Sequence, residues 1–225
     1  MTYDVVIPAF NASETILDAL RSVFEQSVPP ANVIVVDDGS TDDTADLVHR
    51  EFPQVTLYSQ DNHGCGHATS AGYRLTRTPL VASLDADDIW LAHKMERQLE
   101  YLDTHPETAL VFSLQRQFQH KQPDATDGKI REGLNRSSMV IRRQVFDTIG
   151  DIIDPPGGRG DLIDWLARAR EAGFSTHTID QVLCLRRIIP GSLSFGRDRE
   201  KDKGYLLVAY RAMQRRKKAL EQGQD

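Results

Sequence analysis

The chain has 225 residues, 40% of them hydrophobic and 27% charged, and a net charge of −6. That length suits one large domain or two small ones, and the acidic balance argues against nucleic acid as the main partner, since phosphate backbones reward basic surfaces. No run approaches the roughly 20 apolar residues that span a bilayer, Met1-Thr2-Tyr3-Asp4 does not open a signal peptide, and Cys65 and Cys184 are too few for a disulfide framework, so the expected location is the cytoplasm.

The first half alternates apolar runs with helical periodicity. Val5-Val6-Ile7, Val33 to Val36, Val55 to Tyr58, Leu80 to Leu84 and Leu110-Val111-Phe112 read as strands. Most are unbroken apolar runs, as expected for a parallel sheet covered on both faces. Ile16, Leu17, Leu20, Val23 and Phe24 recur at helical spacing, with Asn11 as N-cap and Glu14 as its capping-box partner. Ser40 is placed to cap the next helix, and Leu91, Met95, Leu99 and Leu102 mark another. This rhythm predicts an α/β fold, a doubly wound, mostly parallel sheet with helices on both faces.

After Phe112 the rhythm breaks. Residues 115–136 are polar and aperiodic, and predict an irregular excursion. Ser138 to Ile141 resumes a short strand, and Val145-Phe146 begins a short helix. Pro155 to Gly160 is a loop by its chemistry, with Asp161 next, an N-cap for a helix reaching about Ala172. Val182 to Leu185 is a further strand, and Tyr205 to Glu221 a helix, apolar early and basic late. The expected organisation is one domain over 1–200, in two parts that meet at about residue 113, followed by a C-terminal helix with a basic end at 201–225.

In open parallel sheets ligands bind beyond the carboxyl ends of the strands. Three polar segments fall there: Pro8-Ala9-Phe10-Asn11, Asp37-Asp38-Gly39-Ser40 and Asp85-Ala86-Asp87-Asp88. Five carboxylates at one edge repel one another unless a cation lies between them. Hard oxygen ligands select Mg²⁺ or Mn²⁺, both of which also take substrate phosphates. Taken alone, Asp37 to Ser40 is equally a strand-to-helix turn, and Asp85 to Asp88 a solvated helix start.

Val6-Ile7-Pro8-Ala9-Phe10-Asn11, Val35-Val36-Asp37-Asp38-Gly39-Ser40-Thr41-Asp42 and Leu84-Asp85-Ala86-Asp87-Asp88-Ile89-Trp90 together resemble the family 2 glycosyltransferases of the GT-A fold. The resemblance covers at least residues 3–180 and implies a nucleotide-sugar-binding half at 1–113 and an acceptor-binding half at 114–200. It implies a nucleotide-sugar donor, a UDP-sugar favoured, held at Pro8, Ala9, Phe10, Asp37 and Asp38. It also implies a ribose contact at Asp85 and Ala86 and a metal, Mn²⁺ or Mg²⁺, on Asp85 and Asp87. Asn62 to Gly72 resembles a further element of that family, with Thr69 and Ser70 where Arg and Asn are usual. His63 and His67 stand four apart, but glycines 64 and 66 oppose the early helix that a zinc pair needs.

Gly160 to Gly173 resembles the family's acidic segment and the apolar helix after it. The resemblance makes Asp161, or alternatively Asp164, the base that deprotonates an acceptor hydroxyl. Leu162 replaces the second acidic position. Both aspartates read equally as helix-capping residues. The expected reaction is metal-dependent sugar transfer with inversion, to a carbohydrate, lipid-linked or peptide acceptor, with at most peripheral membrane contact and a homodimer as one assembly. Two other readings remain: a nucleotide-sugar-binding protein impaired in catalysis, which Leu162 favours, and a sugar nucleotidyltransferase. The latter lacks support from residues 8–20, which hold no glycine or lysine.

Overall fold

Runs of β-branched residues build the centre of the molecule, because their stiff side chains fit a pleated surface buried on both sides. In the computed structural model, strand β1 (Tyr3–Ala9) is buried along its whole length. Val5 and Ile7 face one core and Val6 the other, the alternation that a strand imposes. Strand β2 (Asn32–Asp37) repeats the pattern, with Val33 and Val35 on one face and Ile34 and Val36 on the opposite one. The described residues are 1–122, 126–190, 192, 196, 198–200 and 202–221, with backbone alone at 219 and 220. Residues 123–125 of the expected excursion and 222–225 of the tail lie outside them.

Strands β3 (Thr56–Ser59) and β4 (Leu80–Ser83) complete a parallel set in the order β3-β2-β1-β4. Helices α1 (Ile16–Phe24) and α2 (Thr44–Glu51) cover one face, and α3 (Cys65–Leu75) covers the other. Gly72 of α3 sits so close to β1 and β2 that an added Cβ would overlap Val6. The expected doubly wound α/β architecture is present.

The second half extends the same sheet. Strand β5 (Ile89–Trp90) leads into helix α4 (Lys94–Thr104), followed by β6 (Thr108–Gln119) and β7 (Ile130–Glu132). A 3₁₀ turn at Arg136–Ser138 precedes β8 (Val140–Arg142) and helix α5 (Arg143–Ile149). Helix α6 (Asp161–Glu171), β9 (Ser175–Ile188) and helix α7 (Lys203–Glu221) follow. Beyond β4 the order runs β8-β6-β9-β5, with β7 on β6; β6 and β9 are parallel, while β8, β7 and β5 pair antiparallel.

Several local expectations are corrected. Residues 115–119 are strand, and 130–132 pair back onto them, so part of the expected excursion is a hairpin-like arm of the sheet. Asn11 and Ser40 cap no helix. The Asn11 N–H donates to Ser40 Oγ at 2.9 Å, and its Oδ1 accepts from Thr41 N at 2.8 Å, which ties the loop after β1 to the loop after β2. Ala12 N to Thr44 Oγ1 and Ser13 N to Asp42 Oδ2 continue the closure, at 2.8 and 3.0 Å. Asp161 is the first helical residue of α6 rather than its cap. Gly160 caps it at φ +102, a left-handed conformation that glycine adopts without steric cost.

Candidate active site

The sheet order brings the ends of β2, β1 and β4 side by side. Ala9 lies opposite Asp37 in register, and the Asp38 N–H donates to Ala9 O at 2.8 Å. Pro8 and Ala9 are buried, whereas Phe10, just past the strand, is 50% exposed and followed by Asn11 at φ +48. The two aspartates of the β2 end differ in occupation. Asp38 accepts from His63 N, Gly64 N and Gln60 Nε2 at 3.0, 2.9 and 2.7 Å, so its carboxylate organises the loop before α3. Among the described residues the Asp37 carboxylate accepts only from Ser40 N, at 3.2 Å.

Glycines 64 and 66 do not prevent the helix, contrary to the sequence expectation. Gly64 caps α3 at φ +99, and Gly66 lies within its first turn. The Asp154 carboxylate occupies the space a side chain would need at both positions. It accepts from Gly66 N and His67 N at 2.9 and 2.7 Å, so it satisfies free helix donors from 88 residues away. The His63 and His67 rings pack 4.8 Å apart, and His67 Nδ1 lies 3.0 Å from Gln60 Nε2.

At the end of β4 the acidic tetrapeptide turns towards β5. Asp88 is buried; its Oδ2 accepts from Ser137 Oγ at 2.5 Å and its Oδ1 from Arg187 N at 2.8 Å. Burial, with Asp87 and Asp85 adding to it, pushes the Asp88 carboxyl well above the carboxylate range. Asp87 is half-buried and pushed up to about 6, by burial first and the Asp85 charge second. Arg187 braces the turn: its Nε donates to Asp87 O at 2.7 Å, its guanidinium reaches Asp18 Oδ2 at 3.0 Å, and it stacks on Phe118. Ala86 is buried among core residues.

The chemistry of this donor set suits a hard cation bound together with a diphosphate. Among the described residues no group of three or more His, Cys, Asp or Glu is arranged to hold a metal. Asp85 and Asp87 offer two carboxylates, and Mg²⁺ characteristically takes one or two and completes its shell with water and substrate phosphates.

Two adjacent residues of the 3₁₀ turn join this edge to the second half. Ser137 Oγ lies 3.2 Å from the Asp85 N–H and its carbonyl accepts from Trp90 Nε1 at 2.6 Å. Arg136, itself buried, forms an ion pair with Asp161 Oδ2, while its Nε has no hydrogen-bond partner among the described residues. Asp161 is buried, and its Oδ1 makes no hydrogen bond among the described residues. Asp164 points elsewhere. It accepts from Arg168 Nε at 3.1 Å and from Arg215 of α7 at 2.9 Å. Leu162 is buried in the core against α3 and α5 residues.

Sequence reasoning missed Arg136, Ser137, Gln60 and Asp154. The one local signal was Asn135, whose Oδ1 accepts from Ser138 N at 3.2 Å and closes the turn that aims Arg136 and Ser137.

Comparison with known proteins bears on the family and the fold. Residues 4–158 match the family described as glycosyl transferase family 2. TuaG of Bacillus subtilis, a glycosyltransferase assigned to teichuronic acid biosynthesis, is 28% identical over 84% of this chain and 80% of its own length. WfaP of Escherichia coli, a UDP-Glc:α-D-GlcNAc-diphosphoundecaprenol β-1,3-glucosyltransferase, is 28% identical over 44% of this chain and 41% of its own. Residues 1–349 of Staphylococcus aureus TarS, solved with UDP-GlcNAc, superpose with a TM-score of 0.73 at 16% identity, over 93% of this chain and 66% of that one. The Pyrobaculum calidifontis mannosyltransferase PcManGT, solved with GDP-Man and Mn²⁺, gives 0.65 at 19% identity, over 85% and 58%. The chain therefore spans most of TuaG but under half of WfaP. On the family match, and with a GT-A fold beneath it, the chain belongs to glycosyltransferase family 2 and is a transferase.

Proposed function

We propose that the protein transfers a sugar from a nucleotide-diphosphate sugar, a UDP-sugar favoured, to an acceptor hydroxyl, with inversion. The observation that carries this reading is the pairing of Arg136 with Asp161 and of the adjacent Ser137 with Asp88. A two-residue bridge thus holds the acidic donor edge and the candidate base in one frame. Relatives with UDP-GlcNAc or GDP-Man bound support a nucleotide-sugar donor, and the polyprenol-diphosphate substrate of WfaP makes a lipid-linked sugar one of the acceptors to test.

In this reading Phe10, the exposed ring past β1, stacks on the nucleobase, while Pro8 and Ala9 shape the floor beneath it. Asp37, with the freer carboxylate of its pair, contacts the base directly, and Asp38 contributes by fixing the loop at 60–64. Asp85 and Ala86 receive the ribose. Asp85 and Asp87 would hold Mn²⁺ or Mg²⁺, which supplies charge stabilisation to the departing diphosphate.

Asp161 Oδ1 takes the proton of the acceptor hydroxyl as its oxygen forms a bond to the anomeric carbon. The bond from that carbon to the diphosphate breaks, and its electron pair leaves with the nucleoside diphosphate. Arg136 fixes Oδ2 so that Oδ1 is the accepting atom. Asp164, saturated by two arginines, positions α6 rather than touching substrate.

A thermal-shift screen of UDP-, GDP-, dTDP- and CDP-sugars, with and without Mn²⁺, tests the reading on wild type and Asp87→Ala. A shift for one nucleotide class that needs the metal and disappears in Asp87→Ala supports it. A folded wild type that responds to none of them removes it. Donor stabilisation without transfer or donor hydrolysis would favour the impaired-binder reading that buried Leu162 keeps in view.

A further inference from the structure

Helix α7 is apolar on two opposite sides. Its inner side packs on the domain through Val208, which is buried, and through Gly204, which lies against the Arg159 backbone. Arg215 clamps the same side, with Nε on Glu171 at 2.6 Å and its fork on Asp164 at 2.9 Å. The outer side carries Leu206, Tyr210 and Met213, exposed by 75%, 58% and 68%. These are the three most exposed large hydrophobic side chains among the described residues. Their spacing of four and then three residues puts them in one stripe opposite the packed face. Lys217 continues that stripe, with Arg216 and Lys218 exposed on either side.

The charge of this helix is opposite to that of the chain. Its cations are Lys203, Arg211, Arg215, Arg216, Lys217 and Lys218 against the single carboxylate Glu221, in a protein of net charge −6. Arg215 is used within the fold, Lys203 pairs with Glu200 and the exposed Lys217 lies 3.9 Å from Glu221, but Arg216 and Lys218 make no ion pair among the described residues. No helix here is long and apolar enough to cross a membrane.

We propose that α7 is an interfacial anchor that lies flat on an anionic lipid bilayer. Leu206, Tyr210 and Met213 enter the headgroup–acyl boundary, and Arg216, Lys217 and Lys218 meet lipid phosphates. Amphipathic helices bind this way through buried apolar area and attraction to anionic headgroups together. Tyrosine suits the boundary because its ring is apolar and its hydroxyl wet, and lysine stems lie along apolar surface while the ammonium reaches out. The acidic body is repelled by the same surface, which fixes the orientation. A second copy of α7 is the weaker occupant. Parallel pairing would set the basic ends side by side, and antiparallel pairing about Met213 would lay the cations of one copy along Arg211 of the other.

The test is sedimentation of the full chain with vesicles of phosphatidylcholine alone and of phosphatidylcholine mixed with phosphatidylglycerol. The wild type should sediment with the mixed vesicles at low salt, leave them at high salt, and ignore the neutral ones. Leu206→Ser/Met213→Ser and Lys217→Glu/Lys218→Glu should each lower partitioning by at least about tenfold. Both pairs are exposed, so the melting temperature should not move. A folded wild type that binds neither vesicle overturns the proposal, as does anionic binding untouched by both double variants. A concentration-dependent dimer broken by Leu206→Ser/Met213→Ser, without vesicle binding, would reassign the stripe to a second copy. None of these measurements needs a sugar donor, so they stand apart from the transferase test.

Discussion

The Ser137 hydroxyl donates to Asp88 Oδ2 at 2.5 Å while its oxygen lies 3.2 Å from the Asp85 N–H, so one side chain holds both ends of the acidic tetrapeptide. Ser137→Ala removes that link and leaves a buried carboxyl short of a partner. The expected cost is about 1–3 kcal/mol of stability, the desolvation penalty of an unsatisfied buried group. Donor affinity should fall with it, because Asp85 and Asp87 lose their common frame. Urea unfolding and a donor titration measure the two effects on one sample.

Asp161→Asn keeps the size of the side chain but removes its capacity to take a proton. Transfer should drop by about 10²–10⁴-fold, the usual contribution of a positioned general base. The donor-induced thermal shift should persist. If turnover with a working donor and acceptor is unchanged, Asp161 is not the base.

Asp164 is 2% exposed and holds two guanidiniums, so its loss takes a buried partner from each, leaving Arg168 on the Ile149 and Asp151 carbonyls and Arg215 on Glu171. Breaking a fully buried pair costs about 3–5 kcal/mol, but the Arg215 side chain is 30% exposed, so Asp164→Ala should cost roughly 2–3. The contrast with Asp161 is the useful part: Asp164→Ala should melt earlier yet retain transfer below its melting point. Circular dichroism melts paired with activity at a low temperature distinguish the two aspartates.

Lys94 is fully buried, 4.1 Å from the centre of the Trp90 ring and 2.6 Å from Gln98 Oε1. Burial lowers its pKa from 10.5 to about 7. Below pH 7 both folded and unfolded chains hold the proton, and the fold bears the full penalty. Between about 7 and the ordinary lysine value, the unfolded chain binds more protons, so stability rises with pH. The stability of wild type relative to Lys94→Met should therefore increase across that window, by on the order of 5 kcal/mol. Denaturant midpoints measured at several pH values check the slope; a difference independent of pH would contradict it.

How far the sequence revealed this molecule depended on how each element is buried. β1, β2 and β4 are covered on both faces and show as unbroken apolar runs, and the acidic motifs at their ends stand out against them. β6 beyond Leu114 reads Gln-Arg-Gln-Phe-Gln, and its polar residues hid a strand that pairs with β7 across a loop and with β9, which is far away in sequence. Asn11 and Ser40 have the chemistry of caps but reach each other across neighbouring strand ends, a tertiary use that local pattern cannot show. Arg136 was hidden for the same reason. Its role exists only once the turn that carries it has docked on β4 and α6.

The carboxylate that caps α3 belongs to Asp154, and β4 is flanked by β8, so both lean on chain made more than 50 residues later. A fragment ending near residue 113 would leave the amide donors of Gly66 and His67 open and a central strand unpaired along one side. Residues 1–113 should thus not fold as a separate module. During synthesis completion of this part must wait for residues 140–154 to emerge, and grafting residues 1–113 alone onto another transferase should give an insoluble product.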